Sequence, residues 1–204
     1  MRLLLLMLFS LLAGCAVLPE RVPSTDPEAT WTLRQTLLAQ IDTWTLRGRV
    51  ALRSGDEGGQ ASLQWKRQAE TQRIELAGPI GSGRVRLTQN RFGAELRDAR
   101  DRVYRDSSLQ RLLLRRVGWD LPFDDMNYWV LGLPAPGGIT RSELDAWGRL
   151  ATLEQAGWEV RFLDYTKQGQ FELPSQLVVR RTGTTTPVEA RLIIETWTFS
   201  DHPP

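Results

Sequence analysis

The chain has 204 residues, a formal net charge of +2, 41% hydrophobic residues, one cysteine and one histidine. The single cysteine excludes a disulfide within the chain and a metal site built from thiolates. The single histidine, His202, argues against a histidine-based catalytic apparatus and against a multi-histidine metal site. Lys66 and Lys167 are the only lysines and the arginines form no basic block, so the composition gives little support to nucleic-acid binding.

The N-terminus is a short apolar segment that ends at the only cysteine. Leu12, Ala13 and Gly14 precede Cys15, a pattern that resembles the lipobox of bacterial lipoproteins. The apolar run is too short to cross a bilayer, which takes about 20 residues, but its length suits a cleaved signal peptide. The sequence therefore predicts a signal peptide over residues 1–14 and a lipid on the Cys15 sulfur. The alternatives are a signal peptide without lipidation and a buried N-terminal helix, which the charged, proline-rich residues that follow disfavour.

Residues 15–30 are predicted to form the lipid anchor and a flexible tether, because prolines recur there among polar neighbours. A helix is predicted from Thr30 to Asp42, with Thr30 as its N-cap and leucines at helical spacing. The rest of the chain, residues 31–204, is predicted to be a single domain, since the sequence shows no internal repeat and no domain boundary.

From Trp44 onward the hydrophobic period changes to two. Apolar residues between Trp44 and Leu52 alternate with arginines and small residues, which predicts a half-buried strand. A glycine-rich turn then leads into a second strand through Trp65, and the pair predicts a hairpin. Further short strands are predicted around Ile74, around Val85 and from Phe92 to Leu96. Short strands at near-regular spacing indicate an antiparallel sheet or barrel.

Two helices are predicted to interrupt the strands. The first runs from Asp106 to Val117, with Asp106 or Ser107 as its cap and Gly118 as its stop. The second runs from Asp124 to Leu131. After a loop rich in glycine and proline, strands are predicted over Arg149–Glu154, Trp158–Phe162, Leu177–Arg181 and Val188–Phe199.

No residue pattern typical of catalysis or of cofactor binding stands out. The segment from Gly78 to Arg84 resembles a phosphate-binding loop only superficially, because it lacks the Gly-Lys-Ser/Thr ending and Pro79 removes an amide donor. Asp124 and Asp125 are neighbours that point to different faces of a helix, and an acidic helix start explains them better than a catalytic pair. No metal-ligand spacing occurs in the sequence, so no metal and no cofactor are predicted. The pattern favours a binding protein over an enzyme.

The apolar strand positions have two possible uses. They can fill a packed core, or a curved sheet covered by helices can leave a cavity that suits acyl chains. The hydrophobic period is the same in both cases. The turn around Ile80 also has two interpretations, an isolated exposed apolar side chain of no consequence or one that enters a bilayer.

A series of short motifs runs through nearly the whole mature chain. They are Leu46-x-Gly48-Arg49, Trp65, Pro79-Ile80-Gly81, Leu121-Pro122, Trp129-x-x-Gly132-x-Pro134, Gly157-Trp158-x-Val160, Leu173-Pro174 and Trp197. Each is weak alone, but their order, their spacing and their position behind a lipobox resemble the LolB family of outer-membrane lipoprotein receptors. The resemblance implies a mainly β fold, an incompletely closed antiparallel β-barrel with a helical lid over a hydrophobic cavity.

The resemblance also implies a role. LolB proteins take acylated lipoproteins from the periplasmic carrier LolA and insert them into the inner leaflet of the outer membrane. This chain is therefore expected to be a monomeric receptor without enzymatic activity, lipid-anchored at the bacterial outer membrane through Cys15 and facing the periplasm. Ala16 stands where an Asp would signal retention at the inner membrane. One alternative is a structural or assembly lipoprotein whose apolar groove binds a partner protein. Another is a lipid-modifying enzyme, which the single histidine near the C-terminus disfavours.

Two sets of residues are implied to be functional. Pro79, Ile80 and Gly81 take the place of the family's protruding loop, whose apolar residue is usually leucine, and are expected to enter the membrane. The acyl chains are expected to contact one face of the strands and the lid: Leu46, Val50, Leu63, Trp65, Ile74, Leu76, Val85 and Leu87 from the strands, with Met126, Trp129 and Val130 from the lid. Trp129 and the Gly132-x-Pro134 segment have a second interpretation, as residues that fix the end of the lid.

Overall fold

Eleven strands and three helices make up the part of the chain that the computed structural model describes, residues 22–78, 83–184 and 187–199. The helices are α1 (Pro27–Leu38), α2 (Leu109–Val117) and α3 (Phe123–Trp129). The strands are β1 (Thr43–Ser54), β2 (Glu57–Gln68), β3 (Thr71–Ala77), β4 (Arg84–Asn90), β5 (Gly93–Arg97), β6 (Val103–Asp106), β7 (Ile139–Leu144), β8 (Leu150–Gln155), β9 (Trp158–Gln168), β10 (Phe171–Arg181) and β11 (Val188–Phe199). Among these helices, none has both the length and the apolar character that crossing a bilayer requires.

The strands form one antiparallel sheet in the order β6-β5-β4-β3-β2-β1-β11-β10-β9-β8-β7. β1 lies at the centre and pairs with β2 on one side and β11 on the other. Within the described residues the edge strands β6 and β7 do not pair with each other, so the sheet stays open. This topology confirms the predicted mainly β fold with an incompletely closed antiparallel barrel.

The strand pairings define two ends of the sheet. The β2–β3, β4–β5 and β9–β10 turns lie at one end, which we call the base. The β1–β2 turn and the β3–β4 and β10–β11 connections lie at the other end, which we call the mouth. Helix α1 crosses the base. The N–H of Ser24 donates to Ala146 O in the β7–β8 connection (2.8 Å), and Arg34 Nη2 donates to Glu172 O at the start of β10 (2.7 Å).

The central strand contains a bulge at Gly48. The register of β1 against β11 shifts between Arg47 and Gly48. A Cβ on Gly48 would lie 1.9 Å from the backbone oxygen of Ile193, so a side chain does not fit at this position. Because a bulge bends its strand and increases the local twist, Gly48 helps the sheet to coil towards a barrel.

Helix α1 begins at Pro27, earlier than predicted and within the segment predicted as tether. The prediction that Thr30 caps this helix is wrong, because the side chain of Asp26 accepts the bond from Ala29 N (3.0 Å). A proline at the first helical position has no N–H that would be left unsatisfied, and its fixed φ suits a helix. This explains why the helix starts at Pro27.

The cap of α2 is Ser108, so the predicted caps Asp106 and Ser107 are wrong. Asp106 instead forms an ion pair with Arg115 of the same helix (3.1 Å). Gly118 has a φ of +72° and ends the helix as predicted, because this left-handed conformation favours glycine.

Sequence alternation does not reveal strands β6 and β7. β6 has only four residues, and β7 is exposed at nearly every position, so neither shows a buried apolar face. β10 begins at Phe171 rather than Leu177 because the sheet accommodates Pro174 beside a shift in register. α3 covers Phe123–Trp129, a shorter range than the predicted helix.

Aromatic side chains fill the interior towards the base. The ring of Trp44 packs edge-on against Trp65 at 5.6 Å and against Trp197 at 5.5 Å between centroids. Phe123 of α3 packs edge-on against Trp65 at 6.0 Å. Edge-to-face packing at these distances is favourable for aromatic rings. α3 is therefore part of the core of the barrel.

Candidate functional site

A cavity of about 480 Å³ lies between the β1–β6 half of the sheet and helix α2, and it reaches the mouth. Binding sites for small molecules typically have about 300–1,000 Å³. Apolar side chains supply most of the wall: Val50, Leu52, Ala61, Leu76, Val85, Leu87, Leu96, Tyr104, Leu113 and Trp119. An apolar space of this size is suited to a hydrocarbon ligand.

The structure divides the predicted acyl-binding residues between this cavity and the core. Four of them line the cavity: Val50, Leu76, Val85 and Leu87. Two of these, Val50 and Leu87, are also buried members of the core cluster. Seven lie in the packed core: Leu46, Leu63, Trp65, Ile74, Met126, Trp129 and Val130. Along β1 and β2, the core residues lie nearer the base and the cavity residues nearer the mouth. The apolar strand positions therefore serve both as a packed core, towards the base, and as the wall of a cavity, towards the mouth.

The helical wall of the cavity comes from α2, through Leu113 and Arg116. The residues predicted as the lid lie on and just after α3, where they are buried. Trp129 is fully buried, and its Nε1–H donates to Gln155 Oε1 (3.1 Å). The helix beside the cavity is thus the first of the two predicted helices rather than the second.

Several wall residues were not predicted. Leu52 and Leu96 continue the alternation that identified their neighbours, and Leu113 lies on the apolar side of α2, so a signal for these three was present. Tyr104 belongs to the short strand β6, and Trp119 lies in the connection between α2 and α3. Neither of these two belongs to a periodic pattern long enough to be recognised.

A charged rim borders the cavity at the β5–β6 connection. Arg102 donates through Nε to Asp98 Oδ2 (2.7 Å). Burial alone would raise the pKa of Asp98. Its carboxylate, however, accepts hydrogen bonds from the backbone N–H groups of Arg100 and Arg102 and from the Arg102 guanidinium, and together these bonds lower the pKa of Asp98. The guanidinium of Arg116 lies over the ring of Tyr104, 3.9 Å from its centroid. The rim therefore holds an ionised carboxylate and two guanidinium groups beside an apolar wall.

The side chain of Gln89 of β4 forms hydrogen bonds with α2 and with α3 and so links these two helices to the sheet. Its Oε1 accepts from Leu109 N at the start of α2 (2.8 Å), and its Nε2 donates to Asp124 Oδ1 in the first turn of α3 (2.8 Å). Gln72 of β3 donates to the same carboxylate oxygen (3.3 Å). The first N–H groups of a helix have no partner within the helix, so Gln89 supplies one that α2 lacks. These bonds give Asp124 a structural part, as expected for an acidic helix start.

Gln155 of β8 fixes the segment that follows α3. Its Oε1 accepts from Trp129 Nε1 (3.1 Å) and from Ala135 N (2.9 Å), and its Nε2 donates to Ala135 O (2.8 Å). Gly132 has a φ of +76°, and a Cβ there would lie 3.3 Å from the Tyr165 hydroxyl. These contacts support the structural interpretation of Trp129 and the Gly132-x-Pro134 segment.

The predicted lipidation site Cys15 and the predicted membrane-entering residues Pro79, Ile80 and Gly81 fall outside the described residues, as do Ala16 and His202. Gly78 and Gly83, which flank residues 79–82, both line the cavity. The segment predicted to enter the membrane is therefore attached to the cavity wall at both of its ends. In the described ranges no group of three or more His, Cys, Asp or Glu side chains is placed to hold a metal ion.

Comparisons with solved structures agree with the fold. A LolA superfamily protein from Nitrosomonas europaea superposes with a TM-score of 0.54 at 10% sequence identity, covering 90% of this chain and 96% of that protein. A DUF1329 family protein from Desulfovibrio piger gives a TM-score of 0.52 at 11% identity, covering 88% and 96%. At this low identity the similarity supports the architecture alone.

Sequence comparisons identify the family. The family model described as outer membrane lipoprotein LolB matches residues 42–197. The outer-membrane lipoprotein LolB of Nitrosococcus oceani is 37% identical over 195 residues, which cover 95% of each chain. The protein of the same name from Pseudomonas putida strain KT2440 is 35% identical over 193 residues, covering 93% of this chain and 92% of the relative. The chain therefore belongs to the LolB family of outer-membrane lipoprotein receptors.

Proposed function

We propose that the cavity accepts the acyl chains of lipoproteins delivered by the periplasmic carrier LolA, and that the protein then inserts them into the inner leaflet of the outer membrane. One observation carries the proposal. An apolar cavity reaches the mouth of the barrel, and both residues that flank segment 79–82 line it.

The apolar wall supplies the affinity for acyl chains. Each methylene that leaves water contributes about 0.8 kcal/mol, so an acylated lipoprotein does not cross the periplasm unshielded. Val50, Leu76, Val85 and Leu87 contribute the strand side of the binding surface, and Leu113 of α2 contributes the helical side. The helix can move relative to the sheet more easily than β1–β6 can move relative to one another, because the strands share ladders of backbone hydrogen bonds.

Pro79, Ile80 and Gly81 are proposed to contact the bilayer during insertion. The residues that flank them, Gly78 and Gly83, line the cavity, which supports a part for this segment in passing acyl chains from the cavity to the lipid. An isoleucine side chain gains free energy when it leaves water for hydrocarbon. Contact between Ile80 and lipid would thus bring the opening and the bilayer together.

Cys15 is proposed to carry the lipid that holds the protein at the outer membrane, with the cavity in the periplasm. The proposed receptor acts as a monomer and without catalysis. Transfer then proceeds down a series of affinities: weakest in the carrier, stronger in this cavity and strongest in the bilayer. The differential affinity of the acyl chains for the three sites supplies the direction of transfer.

A transfer assay tests the proposal. An acylated lipoprotein bound to its periplasmic carrier is mixed with the purified mature protein, and the complexes are separated before and after liposomes are added. The lipoprotein is expected to move onto this protein and then into the liposomes. A lipoprotein that stays on the carrier while this protein is folded would refute the receptor function and leave a groove for a partner protein as the better explanation.

A further inference from the structure

Exposed apolar side chains concentrate at the base of the barrel, opposite the mouth. Within the described ranges seven large apolar side chains are exposed, and four of them lie at the base: Val22 (81%), Leu33 (67%), Leu37 (55%) and Phe92 (82%). Leu33 and Leu37 stand one turn apart on α1, and Val22 lies in the segment that leads into this helix. The exposed apolar surface at the base is thus centred on the N-terminal helix.

One exposed face of α1, which we call the outer face, carries no charged side chain, although the exposed Glu28 borders it and the exposed N-cap Asp26 precedes it. On a helix with 3.6 residues per turn, four exposed residues fall within an arc of about 100°: Ala29, Leu33, Thr36 and Leu37. Glu28 lies outside this arc, and Arg34 points inward, where it donates to Glu172 O. A quarter of all residues in the chain are charged, so a solvent-facing helix would ordinarily present charges on this side.

The threonines of α1 need no hydrogen bonds from water. Thr36 Oγ1 donates to Thr32 O (3.1 Å), and Thr32 Oγ1 donates to Glu28 O (3.0 Å). Bonds of this kind, from a hydroxyl to the carbonyl four residues earlier, satisfy the side chain within its own helix. The outer face of α1 can therefore leave water without losing hydrogen bonds made by these two donors.

The proposed lipid anchor lies close to α1 along the chain. Residues 15 to 23 separate the Cys15 anchor from Ser24, which is hydrogen-bonded to the base, and at about 3.3–3.6 Å per residue they extend to at most about 30 Å. A helix tied this closely to a bilayer meets the lipid surface far more often than it meets any protein in solution, because tethering raises the effective concentration.

We propose that the outer face of α1 rests on the lipid surface that holds the Cys15 anchor. Interfacial helices lie in the plane of the membrane with their apolar face in the headgroup region. Because α1 crosses the base, this contact points the mouth of the cavity away from the bilayer, towards a carrier arriving from the periplasm. The inference rests on the proposed lipidation of Cys15 and adds a receiving orientation to the proposed function.

The test places a fluorescent probe on α1 of the full lipidated protein, reconstituted in vesicles of phosphatidylethanolamine and phosphatidylglycerol. The Cys15 sulfur is occupied by lipid, so a single added cysteine takes the dye NBD, either by Ala29→Cys on α1 or by Glu57→Cys at the mouth. Dithionite added outside the vesicles reduces water-exposed NBD. We expect reduction at position 29 to be at least fivefold slower than at position 57, with blue-shifted emission at position 29 only.

The double variant Leu33→Glu, Leu37→Glu removes the apolar contact without disturbing the core, because both side chains are exposed. With this variant, reduction at position 29 is expected to accelerate to the rate at position 57, while the protein still floats with the vesicles. The matched control Leu163→Glu changes an exposed leucine of β9 and should leave the rate at position 29 slow. Circular dichroism checks that both variants are folded.

Equal reduction rates at positions 29 and 57 in protein that floats with vesicles would overturn the inference. A second outcome would also overturn it. If a Cys15→Ala chain without vesicles showed slower reduction at position 29 as the protein concentration rises, a second copy of the chain would be covering the helix. If the protein does not float with the vesicles, the lipid anchor is missing. That result refutes the proposed lipidation of Cys15 and is distinct from a failure of the contact made by α1.

Discussion

Gln155 is an example of a single polar side chain that determines the path of a loop. It is 2% exposed, and all three of its bonds join β8 to Trp129 and Ala135. A buried amide of this kind is favourable only while its partners stay in place, because an unpaired polar group in the core is costly. Gln155 therefore links the end of α3 to the β7–β9 half of the sheet.

Replacing Gln155 with leucine should destabilise the domain by about 2–4 kcal/mol, because the Trp129 indole and both backbone groups of Ala135 lose their partner. Urea unfolding followed by tryptophan fluorescence measures the change. Gln68→Leu, at the exposed end of β2, is the matched control and should change stability by less than about 0.5 kcal/mol. Equal unfolding midpoints for the two variants would contradict a stabilising role for these bonds.

Gly48→Ala should destabilise the domain by about 3 kcal/mol or more, because the added carbon would collide with the backbone of Ile193 and force β1 and β11 apart. Gly59→Ala in β2 is the control, since no atom lies within 4 Å of the carbon added there. Thermal unfolding compares the two variants. If Gly48→Ala and Gly59→Ala had the same melting temperature, the bulge would tolerate a side chain and the predicted steric clash would be wrong.

Helix α2 is held beside the cavity by few strong contacts, which suits an element that moves when acyl chains enter. Leu109, Leu112 and Leu113 bury one face of the helix, and Gln89 binds its first N–H. At its far end Arg116 reaches the cavity rim. The other polar contacts of the helix are made by side chains, such as the ion pair between Arg115 and Asp106. An element with a single buried face and a few polar side-chain contacts opens more readily than a strand paired on both sides.

Gln89→Leu should therefore loosen α2 without unfolding the sheet. The variant also loses the bond to Asp124, but only the bond from the Leu109 N–H holds α2, and its loss, worth about 0.5–1.5 kcal/mol, should speed exchange of the Leu109 amide proton by up to about tenfold. Hydrogen–deuterium exchange resolved by NMR measures this, with Gln64→Leu, a half-buried glutamine of β2, as control. Unchanged exchange at Leu109 would show that apolar packing alone fixes the helix.

Leu76→Arg should weaken acyl binding by at least about tenfold while the domain stays folded, since a guanidinium in the cavity loses hydration when a hydrocarbon enters. Displacement of a fluorescent fatty acid measures the affinity. Leu163→Arg, on an exposed position of β9, is the control and should bind as the parent protein does. Leu63 lies in the core at 6% exposure, so Leu63→Arg should instead unfold the domain, as seen by circular dichroism.

Across the whole molecule, the base and the mouth differ in structure. α1 crosses the base, and an aromatic core fills the interior nearby, while the cavity reaches the mouth and is lined there by Gly78 and Gly83. β1 has twelve residues and spans about 40 Å. The proposed tether before Ser24 extends to at most about 30 Å, so a lipid on Cys15 would keep the base within that distance of the bilayer. Under the proposed function, the barrel would then lie along the membrane surface when its mouth reaches the lipid.

Ile80→Glu should leave folding and acyl binding intact but slow the insertion of lipoproteins into liposomes by at least about tenfold, because a carboxylate resists entry into lipid. The transfer assay measures both steps separately. Ile139→Glu changes an exposed isoleucine at the start of β7, at the mouth end of that strand, and should insert normally. Normal insertion by Ile80→Glu would remove this segment from the mechanism.

The sequence by itself determined the family, the mainly β class and the period-two strands, because alternation along β1 or β11 depends only on which residues seek the core. It also indicated that Leu76 and Trp65 lie on the apolar face. Only the tertiary structure decided that Leu76 lines a cavity while Trp65 packs between Trp44 and Phe123. Local pattern sets the direction in which a side chain points, whereas the filling of the space in front of it depends on elements distant in the chain.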